Sequence, residues 1–587
     1  MRLLFHMRHL GSLRMYDSVL RQLAAAGHEI EIVARRRDVP GTTGAPEGTL
    51  ADVPQIRWIW EEVYVTVWTA LASIVRIWLD YLRYSTPRYA SVPRQRRLVG
   101  ERVPAVLRSF TDWPIVRSTV GRRVLTAVLR AVERALPREA PLDQLLRERK
   151  PDVLLLTPVI RLGSSQIEMV RSGRALGVRT GLCIASWDHL SSKARIAEIP
   201  DRVFVWNETQ RREAIELHGI PADRVIVTGA QCYDQWFNRR PARDRRAFCA
   251  AVGLPPDRPF ILYACSTLTP EAPYEALFVR RWIDEIRASD DPWLRSAAIL
   301  IRPHPQRLAE WKHVDLSGLA DVSLYGSHPL DERSKEDYFD SLYHSAAVVG
   351  LLTSVFLEAS ILGKPMHTIV LPEFVDRQSS LFHFSYLFSV GGGLVRSSTT
   401  FDEHRAQLAE SLRLPDDAAR HARFVEAFIR PHGLSRPATD AFVAAVEDFS
   451  RSPLPAPSVE PIWAPALRLA LRPIAAAVSA AVARVEQPTD RTIAELHQAA
   501  RRDQHRRERE EEHRRLHEAR ERERAEKARR AELAREAELR AREARIEADR
   551  AKKREIKAAS QAARRQRDRA KRRATLLAFV KRRLGVG

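Results

Sequence analysis

Residues 348–365, VVGLLTSVFLEASILGKP, leave the chain few choices. The apolar run over 346–351 is too short for a buried helix and predicts an interior strand. Leu352-Thr353-Ser354 predicts a tight turn. A short helix follows, with Thr/Ser at its N-cap, Gly363 at its end and Pro365 just beyond. A strand feeding a helix through small hydroxyl residues aims backbone N–H groups and the positive end of the helix dipole at the turn, where a phosphate is held well. Glu358 lies one turn past Ser354 on the same side, placed to accept hydrogen bonds from a ribose. The bland alternative is an ordinary strand–turn–helix of an α/β domain, and the rest of the chain decides between the two.

The N-terminal residues predict a strand over 2–7, a helix over 16–26 ended by Gly27, and a second strand over 29–34, a Rossmann-like opening. His9, Gly11 and Ser12 fall at the carboxyl end of the first strand, where open α/β sheets bind ligands, although no G-x-G-x-x-G is present. Further strands are expected over 153–156, 179–184, 202–206 and 225–228. The loop after the second of these packs Trp187, Asp188, His189, Ser191, Ser192 and Lys193 together, a composition that suits a functional loop. His218 precedes the C-capping Gly219 and is read as structural, as is His432. A Pro-rich break at 254–259 marks a domain boundary. Beyond it, a strand over 260–264 leads to a polar turn with Ser266 and Thr267, and a strand over 297–301 delivers Arg302-Pro-His-Pro305. The prolines stiffen that loop and so position Arg302 and His304, the arginine being suited to a bidentate grip on phosphate. The expected divisions are 1–240 (first Rossmann-like domain), 241–450 (second Rossmann-like domain), 451–490 (apolar linker helix with Pro473) and 491–587 (charged helical tail).

The net charge of +22 is unevenly spread. Residues 491–587 hold 33 Lys/Arg against 18 Asp/Glu, or +15, which leaves only +7 for the other 490 residues. The high overall pI therefore says little about the ligand of the folded body. Four scattered cysteines, with no C-x-x-C and no histidine at zinc-ligand spacing, predict neither disulfide nor structural metal. The apolar run at the N-terminus is too short for a signal peptide, and no 18 apolar residues follow one another without interruption, so a cytoplasmic protein without a spanning helix is expected. Residues 56–84 are aromatic-rich and predict one long helix, either interfacial on a membrane or part of a core. The tail has neither glycine nor proline from 489 to 584, and opposite charges recur at i,i+4, as in Glu510/Arg514 and Glu536/Arg540. Leu533, Leu539, Ile546 and Ile556 are too sparse for a sustained heptad seam, which favours a single helix over a dimeric coiled coil. At its end, Leu576, Leu577, Phe579 and Val580 lie between two basic triplets, suiting a peripheral tether to anionic lipid. The near-absence of aromatics in the tail argues against nucleic acid.

With two Rossmann-like halves and these loops, residues 1–450 resemble nucleotide-sugar transferases of the GT-B fold. The second half is similar to the CDP-glycerol glycerophosphotransferase family in Thr353, Ser354, Glu358 and Gly363-Lys-Pro365, and in Arg302-Pro-His-Pro305. The resemblance implies that Arg302, His304, Thr353 and Ser354 bind the donor's phosphates and that Glu358 lies near the ribose; Ser266 and Thr267, in the polar turn after a strand, are further donor-binding candidates. Leu351-Leu352 stand where that family has an acidic residue. The implied chemistry is a metal-independent, inverting transfer needing no cofactor beyond the nucleotide-activated donor. A base from the first domain, His9 or the Asp188/His189 pair, would deprotonate a polysaccharide or lipid-linked acceptor of the cell envelope. The alternative is an inactive module that binds nucleotide or polymer. More distant is an NDP-sugar 2-epimerase, which residues 187–234 resemble, though the H-x-E-A-G-x-R and H-x-N-P signatures are missing.

Overall fold

The computed structural model describes residues 1–8, 10–35, 50, 52–61, 64–160, 164, 166–266, 275–329, 331–378, 381–414, 418–486, 535 and 541–583. Residues 1–483 form one compact unit and 484–587 another.

In the first unit, β1 (Arg2–Met7), β2 (Glu29–Arg35), β3 (Ile56–Glu61), β4 (Val153–Thr157), β5 (Arg179–Cys183), β6 (Arg202–Val205) and β7 (Val225–Val227) form a parallel sheet in the order β3-β2-β1-β4-β5-β6-β7. A second parallel sheet holds β8 (Phe260–Ala264), β9 (Ala298–Arg302), β10 (Val322–Leu324), β11 (Ala347–Val349), β12 (Met366–Ile369) and β13 (Arg396–Ser398) in the order β10-β9-β8-β11-β12-β13. Helices cover both faces, so β4, β8 and β9 are buried along their whole length and read as unbroken apolar runs. The strand order reverses between β1 and β4 in one sheet and between β8 and β11 in the other. At such points the loops at the strand carboxyl ends part and leave a crevice. The architecture is GT-B-like: two Rossmann-like domains, as expected.

Eight helices matter below. The helix α1 (Asp17–Ala25) follows β1. The residues between β3 and β4 form an all-helical insert that includes α2 (Thr69–Tyr84), α3 (Ala105–Thr111), α4 (Pro114–Arg117) and α5 (Thr119–Ala135). The helix α6 (Val355–Ile361) follows β11. The chain ends its second domain and crosses back as α7 (Ala438–Arg451), then continues into α8 (Ala464–Glu486).

Two sequence expectations are corrected. Residues 56–84 are not one helix: Ile56–Glu61 pairs in parallel with β2, and only Thr69–Tyr84 is helical. That helix is a core element, because Leu71, Val75, Leu79 and Leu82 are buried and its charges are satisfied inside the protein. Arg76 pairs with Glu133 and Glu168, and Asp80 accepts from the Arg195 backbone at 2.8 Å. The helix over 438–451 belongs to the first domain, where Phe442, Val443, Val446 and Phe449 join the core beneath β1. Phe442 lies 6.0 Å from the Tyr16 ring and 5.4 Å from Phe204; burying such a side chain contributes about 1.5–3 kcal/mol. Residues 464–483 make a helix of mean hydropathy 1.5, which by length and composition alone is long and apolar enough to cross a membrane. The tail is helical over 541–583 and exposed throughout, a rod of roughly 65 Å at 1.5 Å per residue.

The crossing is tightly built. Gly229 holds φ +89°, and a Cβ there would meet the Cβ of Ala438 at 2.6 Å. Gly229→Ala is expected to cost about 1–3 kcal/mol, since strain and a backbone-level clash combine. Gly219 has φ +72° with nothing within 4 Å, so Gly219→Ala carries the strain alone. Thermal melting of the two variants separates the terms, and equal losses would show that the contact with Ala438 contributes nothing.

Candidate functional site

The segments after the two switch-point strands come within electrostatic reach of each other, Arg14 after β1 acting on Glu358 after β11. From the first domain comes the 3-10 segment Leu10–Met15, fixed by the buried Leu13 and by Gln231, whose Nε2 donates to the Met15 carbonyl at 3.1 Å. Arg14 of this segment is exposed and has no hydrogen bond or ion pair among the described residues. Its charge is felt by Glu358, His328, Tyr338 and Tyr233. Sequence reasoning missed both Arg14 and His328.

Glu358 sits inward on α6 with its Oε2 buried and unpartnered. Burial pushes its carboxyl up to about 8, against the weaker opposing pull of Arg14. It is therefore a neutral acid near pH 7, able to donate one hydrogen bond. Tyr338 and Tyr233, also driven up by burial, remain protonated phenols beside it. As the neutral acid, Glu358 can donate through its O–H and still accept at its carbonyl oxygen.

His304 follows β9 as expected. Its Nδ1 accepts from the Gln306 backbone at 3.2 Å, which leaves Nε2 to carry the proton in the neutral ring. Burial, then His328 and Arg307, hold it below the ordinary histidine value. His328, on the loop after β10, is exposed and is lowered by burial and by Arg14. Both rings are neutral near pH 7.

The other expected donor ligands divide. Arg302 does not reach out to a phosphate: its guanidinium donates to the Asp337 carbonyl (3.2 Å), Ser341 Oγ (2.8 Å) and the Ser327 carbonyl (3.3 Å). A Cβ on Gly326 would lie 2.6 Å from its Cζ, so the loop carrying His328 is folded directly onto this arginine. Arg302 thus positions the loop. Ser266 is likewise used internally, its backbone N–H and hydroxyl both donating to Glu275 at 2.8 and 2.9 Å. Thr353 is buried, and its Oγ1 accepts from the Val355 backbone at 3.3 Å. Ser354 is exposed at the N-cap with its side chain making no cap bond. The helix behind it has only 7 residues, too few for much dipole, so an anion here depends on the charged and imidazole groups more than on the helix end. Thr267 and His9 lie outside the described residues.

The Asp188/His189 pair belongs to a second polar cluster, where the first domain meets the helix Phe382–Ser389 of the second. Asp188 accepts from Ser186 Oγ (2.6 Å) and Ser192 Oγ (3.1 Å) and pairs with Lys193 at 2.9 Å. Burial alone would raise its carboxyl, but Lys193, His383 and His189 outweigh that and hold it well below the usual carboxylate range. Such a carboxylate is itself a weak base. His383, stacked edge-on against Trp187 at 4.7 Å, is lowered by burial to about 4. His218 is structural as read: Nδ1 accepts from the Ile196 backbone at 3.0 Å, and Nε2 donates to the Leu190 carbonyl at 2.8 Å. His432 donates to the Val227 carbonyl at 2.9 Å. Among the described residues, no group of three or more His, Cys, Asp or Glu is placed to hold a metal ion.

No protein-family model matches the chain, and no curated protein sequence does. Solved structures similar to it include the UDP-GlcNAc 2-epimerase from Methanocaldococcus jannaschii, with 12% identity and a TM-score of 0.43 over 76% of this chain and 100% of that one. Another is the UDP-GlcNAc 2-epimerase from Neisseria meningitidis bound to UDP-GlcNAc, at 12% and 0.43 over 76% and 100%. A glycosyltransferase from Rickettsia africae matches at 12% and 0.40 over 77% and 99%. The fold assignment rests on the chain's own strand order.

Proposed function

We propose that this chain is an enzyme that binds a nucleotide-activated donor in the cleft and transfers its glycosyl or glycerophosphate group to a cell-envelope polysaccharide or lipid-linked acceptor. The observation that carries this reading is the convergence on one cleft of the unpaired Arg14 and the buried neutral acid Glu358, with two neutral imidazoles on the same side as Glu358. Arg14 supplies a fork for the donor's diphosphate, which gains charge as the bond to the transferred group breaks. His304 Nε2–H and the Ser354 hydroxyl donate to the same oxygens. Glu358 donates to a ribose or sugar hydroxyl. With Asp188 too acidic, the base is His328, exposed and unprotonated near neutrality, which takes the acceptor's hydroxyl proton.

A second reading, a binding module without turnover, draws support from Ser266 and Arg302 being spent on internal bonds. Thermal melting of the full chain with UDP, CDP and GDP, followed by donor consumption, separates the two. One nucleotide is expected to raise the melting temperature. Arg14→Ala should weaken it about 10- to 100-fold, the worth of one charged hydrogen-bonding group. Binding without consumption of any donor would leave the module reading. Conversion of a nucleotide sugar to its epimer with no acceptor present would point to epimerisation instead. No shift with any nucleotide would sink all three.

A further inference from the structure

We propose that the helical insert between β3 and β4, with α8 docked on it, is a seat for an anionic bilayer surface. Its inner face is ordinary core: Leu129 of α5 packs with Leu71, Val75 and Leu79 of α2 and with Ala475 of α8. Among the described residues nothing covers its outer face. Val120, Val124 and Val128 recur every four residues along α5, opposite Leu129, and all are exposed. The stripe continues into α4 and the residue before it through Ile115, 83% exposed, and Trp113. On α8 and just ahead of it, Ile462 is 97% and Leu469 71% exposed. A patch of this extent on one subdomain needs an occupant.

Charge selects the occupant. Residues 93–135 hold ten arginines against three acidic residues. Arg117 on α4 and Arg123, Arg130 and Arg134 beside the valine stripe are exposed. Apolar residues and tryptophan flanked by exposed arginines match the headgroup region of an anionic bilayer, the rings and valines entering the acyl boundary and the guanidinium groups meeting phosphates. The contact is interfacial and not a span. In α8, Arg468 donates to the Ala135 carbonyl at 2.8 Å, tying the helix to the insert. Arg468 and Arg472 would each cost about 2.5–3.5 kcal/mol at a bilayer centre. On its other side α2 holds the segment after Asp188, with Tyr84 Oη donating to the Lys193 carbonyl at 2.8 Å.

The test reads binding alone and so stands apart from the proposed activity. Full-length protein is co-sedimented with vesicles of phosphatidylglycerol and phosphatidylcholine, and with phosphatidylcholine alone. Binding to the anionic vesicles is expected, and Val120→Asp/Val124→Asp/Val128→Asp should weaken it at least about ten-fold. Leu576→Asp/Phe579→Asp in the tail should leave that insert-dependent share in place. In parallel, brominated lipid should quench Trp emission less in Trp113→Phe than in the unsubstituted chain, a readout independent of how the triple variant folds. The proposal is overturned if the triple variant binds like the unsubstituted chain, if only the tail variant loses binding, or if Trp113→Phe is quenched as strongly. It is equally overturned if the triple variant turns a dimer into a monomer without affecting vesicle binding, because the patch would then be a contact between two copies.

Discussion

Asp234→Ala is expected to destabilise the protein by about 3–5 kcal/mol, the cost of leaving a buried cation without its partner. Asp234 lies where the chain leaves the first domain, and it binds both the outgoing and the returning segments. One carboxylate oxygen accepts from Arg430 Nε (2.9 Å), Arg430 Nη2 (2.7 Å) and the Ala438 backbone (3.1 Å). The other accepts from the Thr439 backbone and hydroxyl, each at 2.7 Å. Arg430 cannot turn to water when this partner is lost, since its guanidinium carbon lies 3.4 Å from the Phe237 ring centroid and its Nη1 donates to the Leu434 carbonyl at 2.7 Å. The α7 N-terminus would lose its anchor at the same time. Two readouts should move together in the full chain: a lower thermal midpoint and faster proteolytic cleavage within residues 430–437. A Tm within a degree of the unsubstituted protein would show that the crossing is held by apolar packing alone. Asp234→Asn should fall between, keeping most acceptor geometry while losing the charge.

What could be read from the chain follows from how each element is buried. The interior strands β1, β4, β8 and β9 are covered on both faces, so they appear as apolar runs between glycine and proline signals and were anticipated to within a residue or two. The edge strands β10 (Val-Ser-Leu) and β13 (Arg-Ser-Ser) carry no such run, because an edge needs little apolar surface. The aromatic density of Ile56–Glu61 was mistaken for helix, although β-branched and aromatic residues equally favour strands. Periodicity showed that 438–451 has an apolar face but not which core receives it, which is how a first-domain helix came to be assigned to the second. The site divides on similar grounds. Glu358 was legible as an acidic residue on a short, otherwise apolar helix. Arg302 and Ser266 also stood out as polar residues at strand ends, but their partners Ser341 and Glu275 are brought in by tertiary folding that no local pattern reveals. Arg14 was invisible for the converse reason: it matters through having no partner, and nothing in the sequence separates it from dozens of other arginines.

Activity is expected to fall as pH rises through about 8, while stability at high pH should improve in Glu358→Gln. Glu358 is held up to about 8 by burial, so at neutral pH it is a hydrogen-bond donor, and above that value it becomes a carboxylate facing donor hydroxyls and phosphates. Donor binding should therefore be retained below pH 7 and decline above 8, with kcat/KM following. The amide of Glu358→Gln reproduces the donor and cannot ionise, so this variant should bind at pH 7 and keep its affinity at pH 9; Glu358→Ala should bind weakly at both. The stability sign follows from proton counting. Between the ordinary glutamate value and about 8 the folded chain holds a proton that the unfolded chain has released, so rising pH favours unfolding across that window. Each pH unit of the shift is worth about 1.4 kcal/mol, and the loss at this one buried group is on the order of a few kcal/mol. Glu213 and Glu275, raised to about 8 and about 7, mainly by burial, add slopes of the same sign. The difference between Glu358→Gln and the unsubstituted chain isolates residue 358. The variant's advantage in melting temperature should be small near pH 5 and grow up to pH 9. A constant offset across that range would mean that Glu358 is already ionised when folded, and the neutral-acid role would fall with it. If the offset grows with pH but nucleotide affinity stays flat in the unsubstituted chain, the carboxyl is buried as described yet lies away from the ligand, and the donor site must be sought elsewhere in the cleft.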